Sequence, residues 1–153
     1  MEKLIMRAAE REDVGDIVRL LSQDLRTHIP VELGPPLPEY YLSAFERIAA
    51  DPSELLAVAE LDGEVAGTFQ MSFIPYLLWR GGTVAQVESV RVAEHLRGQG
   101  IGARMMQWAI DEARARECVR IQLTTNKSRT DAHRFYERIG FEKTHEGMKL
   151  ILS

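Results

Sequence analysis

Hydrophobic residues along this chain recur at two spacings, every second residue and every third or fourth, and the switches between them mark out its elements. Leu4 to Met6 is a short apolar run suited to a strand. Asp13 then precedes Val14, Ile17, Val18, Leu21 and Leu25 at helical spacing, so a first helix follows the first strand. Between Thr27 and Pro38 the pattern breaks, because Pro35, Pro36 and Pro38 crowd around Gly34 and no regular element accommodates them. A helical stripe resumes at Tyr41, Leu42, Phe45, Ile48 and Ala49 and stops at Asp51-Pro52, where the proline disfavours helical backbone in the residue before it.

Leu55 to Leu61 and Glu64 to Phe73 flank Asp62-Gly63, a dipeptide suited to a tight antiparallel hairpin because both residues tolerate positive φ. Pro75 to Gly82 makes a second connection with Trp79 and Arg80 at its tip, and Trp79 is expected to anchor it. Thr83 to Val92 returns as a strand. Met105, Trp108, Ala109 and Ala113 then share one helical face, and Arg104, Gln107, Asp111 and Arg114 the other. Ile121 and Leu123 mark a short strand, parallel to the Thr83 strand if the helix between them is a right-handed crossover. Ser128 to Asp131 has the spacing of a capping box opening a helix that carries Ala132, Phe135 and Ile139 inward and ends at Gly140. Two short final strands, Phe141 to His145 and Met148 to Leu152, are expected to turn at Glu146-Gly147. No internal repeat interrupts this order, which predicts one mixed α/β domain over residues 1–153.

Bulk properties narrow the function. A net charge of -4 argues against a nucleic-acid binder, which needs a basic face to displace counterions, and mildly favours a cationic substrate such as an amine. Cys118 is the single cysteine, so no intramolecular disulfide and no cysteine zinc cluster can form. His28, His95, His133 and His145 lack metal-ligand spacing, and no metal is expected. Neither a signal-peptide core nor a segment of membrane-spanning length is present, so no membrane partner is expected and the cytosol is the expected location.

The most distinctive stretch is Arg97-Gly98-Gln99-Gly100-Ile101-Gly102-Ala103, between the Thr83 strand and the following helix. Alternating glycines are poor strand or helix interior, but they let backbone NH groups turn inward together. The first turn of the next helix adds its own unpaired NH groups and the positive end of its dipole, which makes a seat for phosphate. A nucleotide-hydrolase loop would end in Gly-Lys-Ser/Thr, and this one continues Gly102-Ala103-Arg104. The dinucleotide fingerprint can be traced through Gly98, Gly100 and Ala103, but five residues separate Val92 from Gly98 and no acidic strand end follows at the required distance. Arg97-x-x-Gly100-x-Gly102 resembles instead the signature of the GNAT superfamily, the acyl-CoA-dependent N-acyltransferases. Phe135-Tyr136-Glu137-Arg138-Ile139-Gly140-Phe141 is similar to a second segment of that family, Phe-Tyr-x-x-x-Gly-Phe.

The resemblance implies a central, mostly antiparallel sheet with a splayed parallel strand pair and helices on both faces. It implies acetyl-CoA as cosubstrate, held by the main chain of Val90, Arg91 and Val92 and by the loop Arg97, Gly98, Gln99, Gly100, Ile101, Gly102 and Ala103. Strand pairing beyond the thioester must then be broken, or the NH groups would already be used. Tyr136 matches the family's usual general acid. Glu88 lies where many relatives carry a carboxylate, and a buried position among Val87, Val90 and Val92 would raise its proton affinity and suit it to deprotonate the amine. Many relatives carry asparagine where this chain has Arg129, so Asn126 is ranked above Arg129 and Lys127 as a polar contact to the pantetheine. Tyr40, Tyr41 and the loop before them are candidate acceptor contacts. The acceptor, a small-molecule or peptide amine, stays open, and so do a homodimer through the apolar final strands and a rival reading as a silent acyl-CoA sensor.

Overall fold

The computed structural model describes residues 3–23 and 28–153. Five strands form one sheet in chain order: β1 (Leu4–Ala8), β2 (Glu54–Leu61), β3 (Glu64–Pro75), β4 (Thr83–Val92) and β5 (Arg120–Leu123). The first four pair antiparallel and β4 pairs parallel with β5. Helices α1 (Val14–Leu21) and α2 (Glu39–Ala50) precede the hairpin, and α4 (Ile101–Ala115) is the crossover between the parallel strands. The single turn α3 (Leu78–Gly81) joins β3 to β4, and α5 (Thr130–Arg138) follows β5.

Residue alternation in the central strands sorts the two layers. Phe69, Met71 and Phe73 of β3 and Ala85 and Val87 of β4 pack with Met105, Met106, Ala109 and Ala113 of α4. The intervening Gln70 and Ser72 point to the opposite face, on the side of α2. Val14, Ile17, Val18 and Leu20 of α1 are buried, and α1 contacts β3 and β4. Leu25, expected on the same stripe, lies outside the described residues. Helix α2 buries none of its residues fully; it lies on β2 and α1 and leaves Ala49 exposed.

The hairpin forms as expected: Leu61 pairs with Glu64 across Asp62 (φ 50°) and Gly63 (φ 87°), both in the left-handed region. In α3, Trp79 and Arg80 also adopt left-handed backbone. Trp79 is held by the Arg120 guanidinium 4.3 Å from its ring centroid and by Tyr76 edge-on at 5.3 Å, which makes it the anchor of this connection.

Two local expectations are corrected. Ser128 does not cap α5; its NH and hydroxyl both donate to Asn126 Oδ1, at 2.9 and 2.8 Å, so an Asn-initiated turn leads into the helix. The final segment contains no strand either. Beyond Phe141, whose NH donates to the Tyr136 carbonyl, the chain runs on outside the sheet. Its alternation is that of a strand, but among the described residues no neighbour pairs with it.

Candidate active site

The strands β4 and β5 pair only from Val84–Arg120 to Val87–Leu123. Beyond this point β4 is distorted on its other edge too: its register with β3 shifts between Gln70–Glu88 and Thr68–Arg91, and Ser89 sits at φ 56°. A left-handed non-glycine residue within a strand is the mark of a bulge, which bends the strand and breaks its ladder. The gap that opens is lined by Val87, Ser89, Val90 and Arg91 from β4, by Leu123, Thr124 and Thr125 leaving β5, and by Arg129 and Tyr136 around α5. Thr125 Oγ1 is buried there and has no hydrogen-bond partner among the described residues. A buried hydroxyl without a partner is costly unless something that enters the gap supplies one.

The glycine loop lies beyond the C-terminal end of β4. Gly98 (φ 83°) and Gly100 (φ 81°) need left-handed backbone, whereas a Cβ at Gly102 would meet the Phe135 ring at 3.5 Å, an ordinary contact distance. Among the described residues no NH from Gly98 to Ala103 donates to a protein acceptor. These amides and the α4 dipole meet the requirements of an anion seat. Arg97 is exposed, its Nε donating to the Val92 carbonyl at 3.3 Å, which ties the loop back to β4.

Tyr136 reaches the gap from α5, packed edge-on to Phe135 and Phe141 with centroids 5.1 and 5.8 Å away. Burial pushes its phenol above the ordinary value, and the guanidiniums of Arg129 and Arg91 pull against that shift. The group is therefore a protonated phenol in a positive field at neutral pH. Glu88 differs from expectation: it is exposed, not buried among Val87, Val90 and Val92. Its side chain leaves the sheet on the face of Gln70, its cross-strand partner, and accepts from Gln86 Nε2 at 3.0 Å. Gln86 in turn accepts from Gln122 Nε2 at 2.7 Å, so a chain of amides crosses the sheet to the carboxylate.

Other candidates separate. Asn126 is exposed and outside the gap, its Oδ1 consumed by the turn before α5, while Arg129 lines the gap. His133 is occupied with the Asn126 carbonyl at 2.9 Å. Tyr41 receives the Glu32 NH at 3.1 Å, tying the proline-rich loop to α2. The sequence reading missed Ser89, Thr124 and Thr125, and no pattern of residue types marks them; only the end of strand pairing does. Among the described residues no group of three His, Cys, Asp or Glu side chains could hold a metal.

The fold and this gap define a class, and comparison with known proteins names it. The family model described as "Acetyltransferase (GNAT) family" matches residues 17–141, and the chain belongs to that family. It is an N-acetyltransferase with acetyl-CoA as cosubstrate. A solved structure from Bacillus halodurans C-125, described as a transcriptional regulator, is 40% identical, covers 98% of this chain and 100% of its own, and superposes with a TM-score of 0.94. Aminoalkylphosphonate N-acetyltransferase of Salmonella typhimurium is 28% identical over 92% of this chain and 86% of its own. Glucosamine 6-phosphate N-acetyltransferase 1 of Oryza sativa subsp. japonica is 32% identical over 76% of this chain and 71% of its own.

Proposed function

We propose that the chain transfers the acetyl group of acetyl-CoA to the primary amine of a small acceptor by direct attack in a ternary complex. The observation that carries this reading is the gap between β4 and β5, with an orphaned hydroxyl inside and unused amides of the glycine loop beyond it. The pantetheine arm fits the gap, against the main chain of Val90 to Val92 and the Thr125 hydroxyl, and the diphosphate fits the loop from Arg97 to Ala103. An alkylamine with a pKa near 10.4 is ammonium at neutral pH, and freeing its lone pair costs about 4 to 5 kcal/mol. Glu88, on the face opposite α4, takes that proton. The amine nitrogen then attacks the thioester carbonyl, the carbon–sulfur bond breaks as the amide forms, Tyr136 protonates the departing thiolate, and the second proton that the nitrogen sheds on becoming an amide passes through solvent to restore the phenol. Cys118 lies on the loop before β5 and outside the gap, so nothing calls for an acyl-enzyme.

The acceptors to examine first are amines that also carry an anionic group. Arg129 lines the gap, and among the described residues its guanidinium has no carboxylate partner. Two relatives act, by their names, on an aminoalkylphosphonate and a sugar phosphate amine. The test is release of free CoA from acetyl-CoA against a panel of aminophosphonates, amino sugar phosphates, amino acids and plain alkylamines. Acceptor-dependent release supports the reading. Saturable acetyl-CoA binding with no release for any amine overturns it in favour of a silent acyl-CoA sensor.

A further inference from the structure

The carboxylate that takes the amine proton stands where the sheet stops supplying support. Gln86 and Glu88 alternate onto the same face of β4, and Gln86 pairs with Gln122 across the parallel strands. That pairing ends one residue later, at Val87–Leu123, so no β5 residue stands opposite Glu88. The next residue, Ser89, is the left-handed one where β4 leaves register with β3. On the β3 side Glu88 faces Gln70, whose Nε2 is given to Glu54 at 3.2 Å. Among the described residues Gln86 alone holds the carboxylate: its Nε2 donates to Glu88 Oε1 at 3.0 Å, and Gln122 Nε2 donates to Gln86 Oε1 at 2.7 Å.

We propose that Gln86 is a positioning residue for the acetyl transfer and that Gln122 sets its sense; this rests on the reading of Glu88 as the base. A charged carboxylate can only accept, so Gln86 must turn its NH2 group toward Glu88 and its carbonyl oxygen away. That oxygen then needs a donor, and Gln122 supplies one from the last regularly paired row of this face. The two carboxamides thus carry one polarity from the ordered sheet to its distorted end. Without them Glu88, exposed beside a bulge, would spread over several rotamers. With Oε1 occupied, Oε2 has no partner among the described residues and is the oxygen left for the ammonium proton. Holding a reacting group in one geometry lowers the barrier without any contact between Gln86 and the acceptor.

The test is steady-state CoA release from acetyl-CoA, using the amine of the panel above that reacts fastest. Gln86→Leu is expected to lower kcat about tenfold, the lower end for a hydrogen bond to a charged group because the pair is exposed, and to change the acceptor KM by less than about twofold. In the Glu88→Gln background the same substitution should have no further effect, which separates a residue acting through Glu88 from one touching the acceptor. Gln122 gives a sharper contrast. Gln122→Glu, the closer isostere, would claim the Gln86 NH2 group and turn the Gln86 carbonyl oxygen onto Glu88, whereas Gln122→Leu only removes the anchor. Gln122→Glu is therefore expected to lower kcat about tenfold and Gln122→Leu about threefold, and the two should become equal once Gln86 is replaced by leucine. Melting temperature and acetyl-CoA affinity should stay at the parent's values in every single variant. Parent kcat in Gln86→Leu, an undiminished effect of Gln86→Leu in the Glu88→Gln background, or a larger loss in Gln122→Leu than in Gln122→Glu would each overturn the proposal and leave Glu88 as the base. Full turnover of Glu88→Gln, or no release with any amine, would overturn the reading beneath it and the proposal with it.

Discussion

Val87 of β4 and Leu123 of β5 are the last residues these parallel strands share, and two positions past Val87 the left-handed Ser89 turns β4 out of register. The sheet is thus opened by a backbone distortion within β4 and by the early departure of β5. What enters the gap meets main-chain groups that a regular ladder would have consumed.

Thr125 provides the most direct probe of that opening. Its hydroxyl is buried without a partner, so removing it relieves the protein alone and penalises only the complex. Thr125→Val is expected to leave the melting temperature unchanged or slightly raised while weakening acetyl-CoA binding about 3- to 10-fold, the effect of one hydrogen bond of about 0.5 to 1.5 kcal/mol. Calorimetric titration and thermal melts of the same preparation decide it. A loss of stability with unaltered affinity would mean that the hydroxyl is satisfied within the protein.

The loop glycines should not behave alike. Gly100 is left-handed at φ 81°, where a side chain costs about 1 to 2 kcal/mol, and it immediately precedes the first NH groups of α4. Gly102 has ordinary helical backbone, and an added Cβ would sit at normal contact distance from Phe135. Gly100→Ala is therefore expected to weaken acetyl-CoA binding about tenfold, and Gly102→Ala by less than half that factor. Equal losses at the two positions would show that crowding of the cosubstrate, not backbone conformation, governs the loop.

Glu88 and Tyr136 face unequal tasks. Removing the ammonium proton is the harder one, so Glu88→Gln is expected to lower kcat by about 10² or more, within the range of positioned acid–base groups. A thiolate with pKa near 8.5 is already a tolerable leaving group, so Tyr136→Phe should lower kcat only about tenfold. Burial raises the Tyr136 phenol above 10, so the group stays protonated through neutral pH and loses its proton only on the alkaline side. A pH–rate profile therefore should show no tyrosine limb below about pH 10. Full turnover of Glu88→Gln near neutrality would remove that residue from the reaction.

What the sequence reveals and what it hides follow from the range of the forces involved. The Asp62-Gly63 turn and the Gly98–Gly102 loop are legible because their residue types are themselves the conformational requirement. The bulge at Ser89 is not, since serine has no preference for left-handed backbone and is held there by neighbouring strands. At the start of α5 two residues compete for one role: the Ser128 spacing suggests the cap, yet the Asn126 carboxamide takes both donors. The burial expected for Glu88 fails because it is read from flanking valines; Val87 belongs to the α4 side, and Glu88 alternates to the open one. The final strands fail differently, because alternation records that a segment suits a sheet but not which sheet receives it.

Away from the site, Arg7 and Asp13 join β1 to the turn before α1, and their ion pair gives the fold an acid-sensitive tie. Asp13 is buried; its carboxylate accepts from both terminal nitrogens of Arg7, at 2.7 and 3.0 Å, and from the Glu10 NH at 2.7 Å. The Arg7 hydrogen bonds hold its carboxyl below the ordinary aspartate value against the opposing effect of burial. A depressed folded-state pKa contributes stability that is fully present above the unfolded value, near 3.9, and lost as pH falls through the folded value. The Arg7 side chain is 27% exposed and has Glu60 as a second partner at 3.4 Å, so breaking the pair should cost less than a fully buried one, about 2 kcal/mol. Asp13→Asn is expected to lower the melting temperature by roughly 4 to 8 °C at neutral pH. The difference should begin to shrink as pH drops below about 4, where the unfolded parent takes up the proton, and close once pH passes the lower folded-state value. Melting curves of both proteins from neutral pH to pH 2.5 test this, and a gap that stays constant over the whole series would show that Asp13 acts through packing and not through its charge.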